Sequence, residues 1–109
     1  MPKPFFAYIL LCADDSYYTG HTDDMENRFD QHCAGLGCTY TAERLPVRLV
    51  WRQEFASREE AKEAELQIKG WSRAKKQALI AGEGDRLRDL SKKSDWAGYQ
   101  RRSKNRLLE

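Results

Sequence analysis

Five residues of this chain combine side-chain types suited to acid–base or metal chemistry. They are Tyr8 and Tyr18 in two neighbouring apolar segments, Arg28 and His32 one turn apart in a third, and Glu65 in a later amphipathic segment. On a helical wheel Glu65 falls about 40° from Ala61, inside the packing stripe. A carboxylate in that position is costly unless it is paired or binds a metal. Glu65 therefore either holds a cation or forms an ion pair, for instance with Arg28.

The two tyrosines lie in segments that we predict to be a β-hairpin. Residues 5–12 (FFAYILLC) form an apolar run bounded by turn formers, and residues 17–20 (YYTG) resume the pattern. Tyr8 and Tyr18 share a face of the sheet if the loop holds an odd number of residues, and we predict that it is Ala13 to Asp15. Aromatic residues are common in strands, so the tyrosines alone fit core packing equally well.

Arg28 and His32 lie on a helix predicted from about Asp24 to Ala34. Asp23 and Glu26 resemble a capping box at its start, and Gly35 and Gly37 follow its end. The inward stripe consists of Met25, Phe29 and His32, with Arg28 at its border. Taken singly, His32 fits a half-buried histidine and Arg28 fits a side chain that covers the sheet with its aliphatic stem.

The rest of the pattern predicts one more strand and two more helices. Residues 38–46 are turn-rich, and residues 47–55 (VRLVWRQEF) alternate as a strand with Val47, Leu49 and Trp51 on one face. Ser57 and Glu60 cap a helix with the stripe Ala61, Ala64, Ile68 and Trp71, and a short helix follows from Ser72 to about Ala81. We predict a domain over residues 1–81 and a basic, loosely ordered tail over residues 82–109.

Composition indicates a globular protein with a polyanionic partner. The chain has 109 residues and a net charge of +2, but residues 1–67 carry seven basic and twelve acidic side chains, whereas residues 68–109 carry twelve and five. This basic half predicts a nucleic-acid contact surface, for which the candidates before the tail are Lys69, Arg73, Lys75 and Lys76. A charge run also fits a merely solvated face.

Several other classes are disfavoured. No apolar run approaches a membrane span, and the N-terminus does not resemble a signal peptide, so we expect a cytoplasmic protein. Three cysteines do not imply a disulfide framework, and His32, Cys33 and Cys38 lack the further ligands of a zinc site.

Together these segments resemble the GIY-YIG nuclease superfamily, also called the URI domain, and within it the small stand-alone bacterial branch. The resemblance covers residues 5–80 and is carried by Phe6-Ala7-Tyr8, by Tyr18-Thr19-Gly20, and by the stretches RFDQH, LPVRLVW and IKGWSRAKKQALI. It implies an α+β fold with a central three-stranded antiparallel sheet flanked by helices. It also implies a Mg²⁺-dependent or Mn²⁺-dependent endonuclease.

The resemblance assigns each site residue a role. Tyr8 and Tyr18 match the tyrosines of the two half-motifs, Arg28 and His32 the helix arginine and histidine, and Glu65 the metal-binding glutamate. Gly20 would let a phosphate approach the backbone. His21, where a lysine is common, would donate to phosphate or carry a proton. Tyr8 would accept the proton of the attacking water directly or through Tyr18, with Arg28 and the metal favouring its phenolate.

Three function classes follow from these patterns. The first is a structure-selective nuclease of DNA or RNA, with DNA the favoured substrate, linked to DNA repair or nucleic-acid processing and expected to be a monomer. Base-specific cutting is disfavoured because no separate recognition domain is evident. The second is a non-catalytic nucleic-acid-binding module of the same fold. The third is an interaction protein that presents the tail to a partner.

Overall fold

The computed structural model describes residues 3–82. The elements are β1 (Phe5–Leu11), β2 (Tyr17–Thr22), α1 (Met25–Cys33), α2 (Thr39–Ala42), β3 (Arg48–Phe55), α3 (Arg58–Lys69) and α4 (Arg73–Ala81). Two compact units divide the chain, one ending at Leu66 and the other beginning at Gln67. The predicted tail lies outside the described residues from residue 83 onward, so the boundary after residue 81 stays a prediction.

The first unit is built on a three-stranded antiparallel sheet with the order β2-β1-β3. β1 is central because its apolar run is continuous, and four successive side chains from Ala7 to Leu10 are buried. Successive side chains of a strand point to opposite faces, so only a strand covered on both faces can bury all four. The predicted α+β fold with a central three-stranded antiparallel sheet is confirmed.

The β1–β2 hairpin has the predicted register. The Cys12 amide donates to the Ser16 carbonyl at 2.9 Å, so the loop proper is Ala13 to Asp15. Asp15 adopts a left-handed backbone with φ of 69°, as the last residue of a three-residue hairpin loop commonly does. Tyr8 pairs with Gly20 and Leu10 pairs with Tyr18, so these four residues share what we call the tyrosine face.

β3 departs from the predicted alternation because of a bulge. Ile9 pairs with Trp51 whereas Leu10 pairs with Leu49, which leaves Val50 as an extra residue. Leu49 therefore lies on the tyrosine face and Trp51 on the opposite face. The prediction that the two share a face was wrong, because one inserted residue reverses the parity of everything after it.

Helix α1 covers the tyrosine face. The buried cluster there consists of Tyr8, Leu10, Cys12, Met25 and Val47, with Phe6, Tyr18, Phe29 and Leu49 packed against it. Met25 and His32 are buried and Phe29 is half-buried, which confirms the predicted inward stripe of this helix. Packing in this hydrophobic cluster thus orients α1 so that the side carrying His32 faces the sheet.

The start of α1 differs from the prediction by one residue. Asp24, not Asp23, is the N-cap, and its side chain accepts from the Asn27 amide at 3.2 Å. β2 extends to Thr22, whose hydroxyl accepts from the Asp24 amide at 3.1 Å, and this turn moves the cap one residue later. At the other end Gly35 has a φ of 80°, and Leu36 donates to the Gln31 carbonyl as in a Schellman motif.

Helix α3 begins at the opposite face of the sheet. Ser57 caps it by accepting from the Glu60 amide at 3.2 Å, and the Arg58 guanidinium lies 5.0 Å from the Phe5 ring centroid. Ala61, Ala64 and Glu65 are buried on its packing side. This confirms the prediction that Glu65 lies within the apolar stripe.

The second unit contains the end of α3 and helix α4. Ile68, Trp71 and Ala78 are buried, and the Ser72 hydroxyl accepts from the Lys75 amide at 3.2 Å as the N-cap of α4. The helix predicted to begin at Ser72 is therefore present. None of the helices between residues 3 and 82 has the length and hydropathy of a membrane span.

The register predicts that Gly20 is intolerant of a side chain. A Cβ at Gly20 would lie 2.6 Å from the Tyr8 hydroxyl oxygen and 2.7 Å from its Cζ, and Tyr8 is packed too tightly to retreat. We expect Gly20→Ala to lower the free energy of unfolding by about 1–3 kcal/mol, as overpacking does, measured by chemical denaturation. Gly70→Ala is the control, because its Cβ would meet only the Gln67 carbonyl at 3.6 Å. Equal stabilities of the two variants would contradict this packing.

Candidate active site

The tyrosine face brings together three aromatic side chains that the sequence placed far apart. The ring centroids of Tyr8 and Tyr18 are 6.3 Å apart, those of Tyr8 and His32 are 5.8 Å apart, and those of Tyr18 and His32 are 5.3 Å apart. β1, β2 and α1 each supply one of them. The arrangement depends on the odd-numbered hairpin loop, which turns both tyrosines toward α1.

A buried hydrogen bond joins Tyr8 to His32. The Tyr8 hydroxyl and His32 Nε2 are 2.9 Å apart, and the two residues expose only 1% and 0% of their surface. Burial, and to a smaller extent the nearby charge of Arg28, together lower the pKa of His32 to about 4. His32 is therefore a neutral imidazole at physiological pH and can accept a proton at one of its nitrogens.

Both tyrosines keep their protons at neutral pH. Burial raises the pKa of Tyr8, and hydrogen bonding and charge from Arg28 lower it by less than burial raises it. Burial also raises the pKa of Tyr18, as does the neighbouring Tyr8 phenol. Arg28 alone therefore does not produce the Tyr8 phenolate that the sequence analysis expects from Arg28 and the metal together, since removal from water disfavours the charged form more strongly.

Arg28 lies in α1 at the border of the inward stripe, as predicted, and hydrogen-bonds to the loop that follows the helix. Its Nη2 donates to the Gly37 carbonyl at 3.1 Å and its Nη1 donates to Gln31 Oε1 at 3.1 Å. Hydrogen bonding to Tyr8 raises the pKa of Arg28, with further contributions from Tyr18. The positive charge of Arg28 thus acts on both tyrosines.

Glu65 is hydrogen-bonded to His21. His21 Nδ1 donates to Glu65 Oε1 at 2.6 Å, and the side chains expose 23% and 12% of their surface respectively. His21 follows Gly20 in β2, so its side chain belongs to the opposite face of the sheet from Tyr8. The negative charge of Glu65 nevertheless acts on Tyr8, whose pKa it raises. The acidic group therefore lies near the edge strand β2, within electrostatic reach of the tyrosine face.

A divalent metal fits this site only as a largely hydrated ion. Between residues 3 and 82 no group of three or more His, Cys, Asp or Glu side chains is arranged to hold a metal. Mg²⁺ retains several waters and is commonly bound through one or two carboxylates. Glu65 supplies one such carboxylate, which is largely buried and is oriented by the hydrogen bond to His21. A single carboxylate oxygen donor of this kind suits Mg²⁺ or Mn²⁺.

Gly20 and Gly37 leave space for the buried side chains of Tyr8 and His32. The space of a Gly20 side chain is filled by the Tyr8 phenol, and a Cβ at Gly37 would lie 2.7 Å from Cε1 of His32. Gly20 is buried, so its lack of a side chain accommodates Tyr8 rather than opening the backbone to a phosphate. The phosphate role predicted for Gly20 has no support in this packing.

The basic residues predicted to bind nucleic acid lie in the second unit and differ in exposure. Lys69 and Arg73 are exposed, whereas Lys75 is buried with its Nζ 4.5 Å from the Trp71 ring centroid. Burial lowers the pKa of Lys76, with a contribution from the charge of Arg73. Lys75 thus packs against Trp71. The nucleic-acid contact surface predicted from these four residues stays a prediction.

The sequence analysis missed the residues that α2 contributes. The Thr41 hydroxyl lies 2.8 Å from His32 Nδ1, and the Tyr40 ring stacks on Tyr18 with centroids 6.0 Å apart. The guanidinium carbon of Arg44, which follows α2, lies 3.9 Å from the Tyr40 ring centroid. The Arg44 Nε donates to Asp14 Oδ2 at 3.0 Å. A helix of four residues has no measurable periodicity, so the segment 38–46 gave no signal beyond its turn formers.

The neutral state of buried His32 predicts a specific dependence of stability on pH. The folded protein binds this proton only near pH 4, whereas the unfolded chain binds it near pH 6.5. The contribution of His32 to the free energy of unfolding is therefore complete above about pH 6.5 and falls by roughly 3 kcal/mol as the pH drops to 4. Chemical denaturation across this window should show a smaller decline for His32→Gln than for the wild type or His21→Gln. Parallel curves for all three proteins would contradict a buried neutral His32.

Comparison with known proteins shows the family of the chain. The sequence profile described as the GIY-YIG catalytic domain matches residues 4–78. A UPF0213 protein of Lacticaseibacillus paracasei is 46% identical over 78 residues, which cover 72% of this chain and 88% of that protein. UPF0213 protein BH0048 of Halalkalibacterium halodurans is 42% identical over 89 residues, which cover 82% of this chain and 95% of that protein. The solution NMR structure of the protein EF2693 from E. faecalis is 35% identical, with a TM-score of 0.52, over 75% of this chain and 88% of that one. The chain belongs to the GIY-YIG family and to its small UPF0213 branch.

Proposed function

We propose that this protein is a metal-dependent nuclease that hydrolyses phosphodiester bonds of DNA at the tyrosine face. The observation that carries the proposal is the buried hydrogen bond between the Tyr8 hydroxyl and a neutral His32, 2.9 Å apart and beside the Arg28 guanidinium. Hydrolysis of a phosphodiester is aided by a base that takes the proton of the attacking water and by a fixed cation that stabilises negative charge on the phosphate.

Tyr8 and His32 supply the proton path of the proposed reaction. Because burial keeps Tyr8 protonated, it accepts the proton of the attacking water only as it passes its own to His32 Nε2. His32 becomes an imidazolium in the same step, so the charge balances without a free phenolate. Tyr8 exposes 1% of its surface while Tyr18 is half-buried, which favours a route in which Tyr18 meets the water first.

Arg28 and Glu65 have electrostatic roles in the proposal. Arg28 is already oriented by Gly37 and Gln31, so it stabilises negative charge on the phosphate without reorganisation. Glu65 would hold the divalent ion, which when bound polarises a phosphate oxygen. His21 orients the Glu65 carboxylate through their 2.6 Å hydrogen bond, a role closer to ligand positioning than to the phosphate contact first expected.

Cleavage assays test this proposal with matched variants. Wild type with Mg²⁺ or Mn²⁺ is incubated with labelled single-stranded, duplex, flap and branched DNA and RNA. We expect cleavage of branched or single-stranded DNA, lost on chelation and slowed about 100-fold or more by Glu65→Gln and by Tyr8→Phe. Glu63→Gln on the exposed side of α3 and Tyr17→Phe on the opposite sheet face should stay within about threefold.

The outcomes separate the candidate functions. Cleavage that survives chelation or Glu65→Gln would contradict the proposed metal role, and equal cutting of perfect duplex would contradict structure selectivity. Salt-sensitive binding without cleavage would favour a non-catalytic nucleic-acid-binding module. The near-complete burial of Tyr8 is the observation that favours that second candidate. A link to DNA repair would follow only from selectivity for damaged or branched substrates.

A further inference from the structure

Thr41 of α2 makes a buried contact with the nitrogen of His32 that Tyr8 does not use. Its hydroxyl lies 2.8 Å from His32 Nδ1, and neither residue has any exposed surface. His32 thus has a hydroxyl at each ring nitrogen, Tyr8 at Nε2 and Thr41 at Nδ1. A neutral imidazole has one N–H, so one hydroxyl must accept and the other must donate.

The surroundings of Tyr8 decide which nitrogen carries the proton. Tyr8 keeps its hydroxyl proton, since its pKa is raised, and that proton needs an acceptor. The Arg28 guanidinium, which also acts on this hydroxyl, has only donors and cannot accept the proton, whereas His32 Nε2 lies 2.9 Å away. The Tyr8 O–H therefore donates to Nε2, which must be unprotonated, and the imidazole proton lies on Nδ1.

The hydrogen bonds of Thr41 agree with this direction. Thr41 donates to the Cys38 carbonyl at 3.3 Å, which uses the single proton of its hydroxyl. Its lone pairs remain for the His32 Nδ1–H and for the Cys38 thiol, whose sulfur is 3.4 Å away. One donor and two acceptor sites are the full capacity of a hydroxyl, so every group is satisfied in this arrangement.

The His32 ring is also prevented from turning over. A Cβ at Gly37 would lie 2.7 Å and 2.8 Å from Cε1 and Cγ of His32, so the Gly37 backbone packs directly against the ring. Arg28 holds the Gly37 carbonyl at 3.1 Å. Close packing of this kind keeps Nδ1 directed at Thr41 and Nε2 directed at Tyr8.

We propose that Thr41 is a positioning residue that fixes His32 as the Nδ1–H tautomer and so leaves Nε2 to receive the proton of Tyr8. The tautomer follows from hydrogen bonding alone, whereas its consequence for cleavage rests on the proposed function. The logic is that of a base oriented by a third group through its second nitrogen. Thr41 itself does not touch the reacting atoms.

The test is the tautomer of His32, read by long-range ¹H–¹⁵N correlation NMR at neutral pH. We expect wild type to show a protonated Nδ1 and an unprotonated Nε2. Thr41→Val keeps the shape but removes the hydroxyl, and should shift His32 toward the other tautomer or a mixture. Thr41→Ser restores the hydroxyl and should give the wild-type pattern. A protonated Nε2 in wild type would overturn the proposal even if Thr41→Val failed to fold, and so would an unchanged spectrum in a folded Thr41→Val.

Cleavage rates provide the second readout and separate the two proposals. We expect Thr41→Val to lower kcat by roughly 10-fold to 100-fold with little change in KM, as loss of an orienting partner does, and Thr41→Ser to recover most of it. If wild type cleaves no substrate while its NMR spectrum has the expected tautomer, the proposed function fails and the role of Thr41 stands. If wild type cleaves but kcat is unaffected in a folded Thr41→Val, the positioning role is overturned.

Discussion

The hydrogen bond between Tyr8 of the central strand and His32 of α1 is the constraint on which the tyrosine face depends. It places two polar groups in a hydrophobic cluster, where an unpaired one would be costly. The neighbouring backbone is shaped around it, because Gly20 leaves space for the phenol and Gly37 leaves space for the imidazole.

The sheet separates the two tyrosines and the histidine from the acidic group. Tyr8, Tyr18 and His32 lie against α1, while Glu65 reaches the edge strand from α3 and pairs with His21. The separation keeps the carboxylate from hydrogen-bonding to the phenols, yet its charge still reaches Tyr8. In a medium of low dielectric, charges interact strongly even when they are not in contact.

Much of the site could be predicted because it follows from local rules. The parity of a three-residue loop sets Tyr8 and Tyr18 on one face, and helical spacing sets His32 and Glu65 inward. What could not be predicted depends on tertiary packing: the bulge at Val50, the approach of Thr41 to His32, and the burial that keeps Tyr8 protonated. The shift of the helix cap from Asp23 to Asp24 is smaller, and reflects a turn at Thr22 that competes with the expected capping box.

The most direct test of the central claim is a double-mutant cycle on cleavage rate with Tyr8→Phe and His32→Gln. If the two residues form one proton path, either change removes it, and the double variant should be no slower than the slower single variant. Losses that multiply in the double variant would mean that Tyr8 and His32 act independently, and would contradict the account given for this site.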